Sequence, residues 1–218
     1  MAHWGMVIDL KKCVGCQTCS IACKVGNFLP PGVLWNRVYD YELGKYPNVT
    51  RRFLPRPCMQ CEDAVCMTVC PTKATEKRDD GIVWVDYDKC LGCGYCEVAC
   101  PYGARILHKG KDFYYHAPTQ YEDFPYELRQ PHQRYLVGAA SKCTFCMHKI
   151  DKGIAEGLLV GQDPKATPDC VVSCIAKARY FGDLDDPDSE VSKLIAERKG
   201  VRLYPELGTG PSVYYLHA

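Results

Sequence analysis

"CLGCGYCEVACP", residues 90–101, sets four cysteines at gaps of two, two and three residues, and "CVGCQTCSIACK", residues 13–24, states nearly the same phrase 77 positions earlier. All sixteen cysteines of the 218-residue chain fall into four groups of four, with none left over. The first is Cys13, Cys16, Cys19 and Cys23, and the second is Cys58, Cys61, Cys66 and Cys70. The third is Cys90, Cys93, Cys96 and Cys100, and the fourth is Cys143, Cys146, Cys170 and Cys174. Groups one and three share one spacing. Group two stretches the middle gap to four residues and group four stretches it to twenty-three, while both keep the C-x2-C opening and the C-x3-C close.

An even cysteine count suits a disulfide scaffold in a secreted chain, but "MAHWGMVIDLKKC" shows no charged n-region, apolar h-region or cleavage site, and no twin-arginine leader. Zinc is the second alternative. Its all-cysteine sites are assembled from separated C-x2-C knuckles, which groups two and four taken alone resemble, whereas groups one and three crowd one side of a single ion. A cubane iron–sulfur cluster fits the tight run best. Three thiolates spaced by two residues wrap one side of it, with backbone N–H groups turned toward sulfur, and the fourth cysteine points away to ligate the other cluster of a pair. Sixteen thiolates then make four [4Fe-4S] clusters, and no motif position carries another residue that would demand a smaller cluster.

Internal repetition predicts the wiring. A shift of 77 lays "IDLKKCVGCQTCSIAC" on "VDYDKCLGCGYCEVAC", and a shift of 104 lays "CMTVCPTKA" on "CVVSCIAKA". Groups two and three are separated by nineteen residues and both end in proline, Pro71 and Pro101. They form an inner unit that exchanges fourth cysteines, and groups one and four form an outer unit around it. The expected ligand sets are Cys58, Cys61, Cys66 with Cys100; Cys90, Cys93, Cys96 with Cys70; Cys13, Cys16, Cys19 with Cys174; and Cys143, Cys146, Cys170 with Cys23. Lys24 and Ile175 stand where the inner unit has proline, so the outer helices are expected to differ in geometry.

The chain as a whole is 47% hydrophobic and 24% charged, with a net charge of +1, which argues against a dedicated nucleic-acid surface. No eighteen apolar residues run together. "WGMVID", "GIVWVD" and "ARYFGDL" read as strands beside the motifs. Short helices are expected to begin at the fourth cysteines, as in "CSIACKVG" and "CEVACPYG", and "DSEVSKLIAERKG" reads as a capped helix in the tail. Residues 24–57, with "FLPPGVLW" and "ELGKYPN", read as an extended excursion. Residues 101–142 carry eight aromatics, among them Phe113, Tyr114, Tyr115, Tyr121, Phe124, Tyr126 and Tyr135; these shield clusters or form a docking surface. His108, His116, His132 and His148 are secondary candidates as ligands or proton carriers. Lys12, Lys89, Lys142 and Arg105 flank motifs, where each is expected either as a merely solvated charge or as a positive charge that raises cluster potentials. No nucleophile, nucleotide loop or metal-bound water site is legible.

Four groups with the third reading "DYDKCLGCGYCEVACPYGAR", the fourth "KCTFCMHKI…PDCVVSC", and then "ARYFGDLDDPDSEVSKLI", resemble the four-cluster ferredoxin subunit of the dimethyl sulfoxide reductase family of molybdopterin oxidoreductases. The likeness runs from about residue 5 to 195. It implies an α+β fold of two bacterial-ferredoxin-like halves with nested pairing: residues 1–24 and 143–183 outside, 55–105 inside, inserts at 25–54 and 106–142, and a tail at 184–218. It implies an electron-transfer subunit without a catalytic site, partnered by a large molybdopterin-containing subunit and in many cases a membrane quinone-reacting subunit. The alternative is a free polyferredoxin shuttle, which the long inserts weigh against. Membrane association through partners is expected, on the outer face by co-export or else in the cytoplasm.

Overall fold

A computed structural model describes residues 2–107 and 138–217. Strand β1 (Trp4–Asp9) is the predicted "WGMVID", and every one of its residues is buried because both of its edges are occupied. On one side runs β8 (Arg179–Asp183), antiparallel, with Ile8 opposite Arg179. On the other runs β9 (Val213–Leu216), parallel, with Met6 opposite Val213. Met6, Ile8, Phe145, Phe181 and Tyr215 meet in the main apolar core beneath.

A smaller copy of the β1–β8 ladder is made by β4 (Thr75–Lys77) and β5 (Val83–Val85), with Thr75 opposite Val85. The two registers agree. The shift of 77 carries Ile8 onto Val85 and the shift of 104 carries Thr75 onto Arg179, so Ile8 opposite Arg179 is the same pairing as Val85 opposite Thr75. The turns agree as well. The Asp9 N–H donates to Ala178 O at 2.7 Å, and the Asp86 N–H donates to Ala74 O at 2.7 Å. Helix α1 (Thr18–Gly26) packs on α5 (Asp169–Val172), and α2 (Val65–Thr68) on α3 (Tyr95–Ala99). Group one is thus joined to group four, and group two to group three, by both a strand pair and a helix pair.

The helices do not begin at the fourth cysteines. α1 and α3 start one residue before the third cysteine, and α2, α3 and α5 end before the fourth. Proline explains the inner unit, since the residue before proline is pushed out of the helical region, and Cys100 is extended at φ −76°, ψ 111°. α1 has Lys24 at that place and continues through Cys23 to Gly26, and the Lys24 ammonium donates to Pro30 O (2.6 Å) and Val33 O (3.0 Å). α5 ends before Cys174 although Ile175 follows.

The excursion at 24–57 contains a long hairpin, β2 (Arg37–Lys45) with β3 (Asn48–Arg56), exposed over most of its length. β6 (Ile106–Leu107) pairs with β7 (Ala140–Ser141) before α4 (Met147–Ala155). The tail helix is α6 (Glu190–Arg198), capped by the Ser189 hydroxyl accepting from the Ser192 N–H at 3.3 Å. Phe113, Tyr114, Tyr115, Tyr121, Phe124, Tyr126, Tyr135, His108, His116 and His132 lie outside the described residues. Among the described residues no helix is long and apolar enough to cross a membrane.

Candidate metal centres

Each C-x2-C opening is closed by a residue in the left-handed region just before the second cysteine: Gly15 (φ 68°), Gln60 (48°), Gly92 (67°) and Phe145 (54°). Such a turn folds the chain back so that both thiols face one side. Glycine is required at Gly92, where a Cβ would lie 1.9 Å from Gly138 O. A second left-handed residue, Lys73, Gly103 or Lys177, follows the last cysteine of groups two to four by three positions. It turns the next N–H onto sulfur: Ala104 N–H donates to Cys100 Sγ (3.5 Å) and Ala178 N–H to Cys174 Sγ (3.3 Å). Phe145 N–H reaches Cys143 Sγ and Ala140 N–H reaches Cys90 Sγ, both at 3.4 Å.

None of the sixteen thiols is in a disulfide. Two hollows are walled by them. One is lined by Cys13, Cys16 and Cys19 of group one with Cys174 of group four. The other is lined by Cys90, Cys93 and Cys96 of group three with Cys70 of group two. The other eight thiols fall into two neighbourhoods. Burial pushes the Cys61 thiol up to about 12, with Cys58, Cys66 and Cys100 adding like-charge repulsion. Burial pushes Cys23 far above the usual thiol range, with Cys143, Cys146 and Cys170 adding repulsion. Cys143 is pushed up to about 12 and Cys146 far up by the same cause. At the surface Cys16 moves the other way, held down by a hydrogen bond with the Thr18 hydroxyl (3.3 Å).

Crowded thiols that resist ionisation give up their protons to a metal, whose charge removes the repulsion. Among the described residues no three His, Cys, Asp or Glu side chains converge closely enough for one ion. Thiols gathered by fours around a hollow suit a multi-iron core with its own sulfides. A buried donor makes the same point. Arg105 is 2% exposed; its Nη2 donates to Cys66 Sγ at 3.1 Å, while Nε and Nη1 have no partner among the described residues. Buried donors are seldom left without acceptors, and Arg105 lines the second hollow. Cluster sulfur would satisfy it.

The flanking cations separate into two kinds. Lys12 is exposed and donates to the Tyr180 hydroxyl at 2.5 Å, and Lys89 is exposed and pairs with Glu76 (2.8 Å) and Asp86 (3.0 Å). Arg105 and Lys142 are buried. His148 lies on α4 and lines neither hollow. Sequence reasoning missed Arg179, which is buried in β8 and donates from Nη1 to Cys170 Sγ (3.3 Å) and from Nη2 to Asn36 Oδ1 (2.7 Å). The repeat could have found it, because Arg105 and Arg179 each follow the last cysteine of a group by five residues.

Left-handed thiol turns, N–H groups on sulfur and hollows shared between two motifs define a class: small proteins that hold iron–sulfur clusters in pairs. The sequence model of one family, the 4Fe-4S dicluster domain, matches residues 49–112. The chain is 48% identical over 225 residues to a subunit of the selenate reductase of Mesobacillus selenatarsenatis, covering 98% of this chain and 72% of that one. It is 44% identical to the iron-sulfur subunit of a putative dimethyl sulfoxide reductase of Halobacterium salinarum (100% and 80% covered). It is 38% identical to the iron-sulfur cluster-binding subunit of menaquinone reductase from Nitratidesulfovibrio vulgaris (98% and 88% covered). The chain belongs to the ferredoxin-like iron–sulfur subunits of the dimethyl sulfoxide reductase family. It carries [4Fe-4S] clusters and transfers electrons within an oxidoreductase complex whose catalysis takes place in another subunit.

Proposed function

We propose that the chain holds four [4Fe-4S] clusters in a line and relays single electrons between a large molybdopterin-containing catalytic subunit and a membrane quinone-reacting subunit or soluble carrier. The ligand sets are Cys90, Cys93, Cys96 with Cys70; Cys58, Cys61, Cys66 with Cys100; Cys143, Cys146, Cys170 with Cys23; and Cys13, Cys16, Cys19 with Cys174. The observation that carries this reading is that each thiol-lined hollow takes three cysteines from one group and the fourth from its partner. When bound, the clusters supply one-electron storage and relay.

Electrostatic reach between single thiols supports an order for the sets. Cys96 is within electrostatic reach of Cys66, Cys143 of Cys58, and Cys170 of Cys19. We read this as the set of Cys90 next to that of Cys58, then that of Cys143, then that of Cys13. Cys143, Cys146, Cys170 and Cys23 in the interior are buried, whereas Cys93 and Cys16 at the two ends are exposed. Leu91 (73% exposed) and Val98 (89%) surround the first end, and Val14 and Ile21 the second. Exposed apolar residues beside a redox terminus suit protein docking, so the two partners sit at the two ends. Residues 1–24 with 143–183 form the outer half and 55–105 the inner half, with 25–54 and 106–142 as inserts and 184–218 as tail.

The menaquinone reductase relative supports attachment to a membrane through a partner. Location on the outer face, by export with the catalytic subunit, is our reading from the family. Anaerobically purified protein is expected to contain about sixteen iron and sixteen acid-labile sulfide per chain; about twelve iron, or zinc in place of iron, overturns the reading. Fractionation of cells with and without the large subunit tests the location, and recovery from the cytoplasm in both cases refutes export.

A further inference from the structure

Among the described residues four charged side chains are buried, and one of them, Asp9, is paired with Arg198. The other three are cations: Arg105 (2% exposed), Lys142 (1%) and Arg179 (4%). No carboxylate among the described residues forms an ion pair with any of them. A buried charge without a counter-charge is costly, so these three call for an anion that the described carboxylates do not supply.

Their positions name it. Arg105 donates to Cys66 Sγ (3.1 Å) and is within electrostatic reach of Cys58 on the same set and of Cys96 on the neighbouring set. Arg179 donates to Cys170 Sγ (3.3 Å) and reaches Cys19 and Cys174 of the set beyond. Lys142 occupies the remaining junction. Its ammonium donates to Cys143 O (2.9 Å), to Gln60 Oε1 (3.2 Å) and to Val83 O, and Gln60 Nε2 donates to the same Cys143 O (2.7 Å). Gln60 lies between Cys58 and Cys61 in the chain, so Lys142 bridges the set of Cys58 and the set of Cys143. Four sets in a line have three junctions, and each junction holds one buried cation.

We propose that Arg105, Lys142 and Arg179 are gap cations, one between each two consecutive clusters, and that each raises the reduction potential of both clusters it separates. A cubane with four thiolates is a net anion that becomes more negative on reduction. A cation held beside it in a dry interior favours the reduced form. Standing between two such anions, it also weakens the repulsion that one reduced cluster exerts on the next, so that electrons can occupy neighbouring positions. The arginines add donors to sulfur, which act in the same direction. These are positioning residues, since they ligate nothing, and the inference rests on the four-set reading above.

The test is a potentiometric titration of the intact complex followed by EPR, after its iron and sulfide content has been measured. Arg105→Gln is expected to make the clusters at Cys58 and Cys90 at least tenfold harder to reduce, about 59 mV each for a one-electron couple, and to leave the other two within about threefold. Arg179→Gln is expected to do the same at Cys143 and Cys13, and Lys142→Met at Cys58 and Cys143. Arg105→Lys, Arg179→Lys and Lys142→Arg keep the charge and are expected to stay within about threefold of wild type. If a neutral variant fails to assemble, its charge-keeping partner decides: near-wild-type potentials support the proposal and a tenfold shift refutes it. Unchanged potentials in the neutral variants, or equal shifts at all four clusters, overturn it. An iron count short of four cubanes in the wild type refutes the four-set reading itself, before any cation is changed.

Discussion

Gly92→Ala is a one-methyl perturbation whose consequence can be worked through from the turn to the cluster. Gly92 has φ 67°, and an added Cβ would lie 1.9 Å from Gly138 O, a backbone atom that cannot swing aside. The left-handed conformation alone costs an L-residue about 1–2 kcal/mol, and forcing a methyl into filled space costs about 1–3 kcal/mol more. Gly103→Ala is the control. It is also left-handed (φ 58°), but its Cβ would meet only Arg56 Nη2 at 3.6 Å, an ordinary contact, so only the conformational cost applies. The two variants therefore differ by about 1–3 kcal/mol, which is about 5- to 160-fold in the rate at which the folded state is lost. The displaced segment also carries Ala140, whose N–H donates to Cys90 Sγ at 3.4 Å. Bleaching of the cluster absorbance in denaturant, under argon, reads the rate. An EPR titration reads the weakened N–H donor as a lower potential for the cluster at Cys90 in Gly92→Ala alone. Equal bleaching rates for the two variants would refute the steric argument.

Three further outcomes can be checked. Cys23→Ser is expected to abolish the EPR signal of the cluster at Cys143, Cys146 and Cys170, and Cys100→Ser that of the cluster at Cys58, Cys61 and Cys66; loss at Cys13 or Cys90 instead would disprove the exchange of fourth cysteines. Trp35→Phe removes the buried hydrogen bond from Nε1 to Ser141 Oγ (3.0 Å) while Ser141 keeps Ile106 O (3.4 Å); it is expected to cost about 1 kcal/mol in denaturant unfolding, and no change would show the bond to be idle. Burial opposes ionisation of Asp9, but hydrogen bonds from Arg198 and the Lys11 N–H hold its carboxyl below the ordinary 3.8. Because the folded value is the lower one, its contribution is complete above 3.8 and fades as pH falls through the folded value. The stability difference between wild type and Asp9→Asn should therefore shrink below that pH, and a constant difference would contradict it.

The parts of this fold that can be read in advance are those where the chain repeats itself. Asp9 and Asp86, Gly15 and Gly92, and the two C-x3-C closings occupy equivalent places because each does the same local task, and a shift of 77 or 104 residues exposes that without any structure. The strands flanking the motifs are legible for the same reason. The hairpin β2–β3 is not, since its exposed strands lack the apolar alternation of a buried face and Gly44 and Pro47 near the turn read as breaks. β9 escapes notice because four residues with an apolar face, "VYYL", carry little signal until β1 is known to offer a free edge. Helix starts fall elsewhere than expected because the left-handed N-cap residues Gln17 and Gly94, and not the cysteine spacing, set them. In the sequence Lys142 and Arg105 are only neighbours of motifs; their burial, and with it their distinction from Lys12 and Lys89, is a property of packing that spacing does not contain.

The parallel pairing of β1 with β9 has a consequence for synthesis. β1 leaves the ribosome well before its two neighbours in the sheet, residues 179–183 and 213–216. The β4–β5 ladder and the α2–α3 contact close within residues 65–99. Segments that find their partners early in translation order first, and long-range pairings wait. The segment between residues 58 and 100 can therefore receive iron while the nascent polypeptide is still growing, whereas Cys13, Cys16 and Cys19 remain without Cys174 until the fourth group has been made. The assembly machinery meets this protein from the inside out, and a truncated message yields a product whose central cysteines are arranged and whose first ones are stranded.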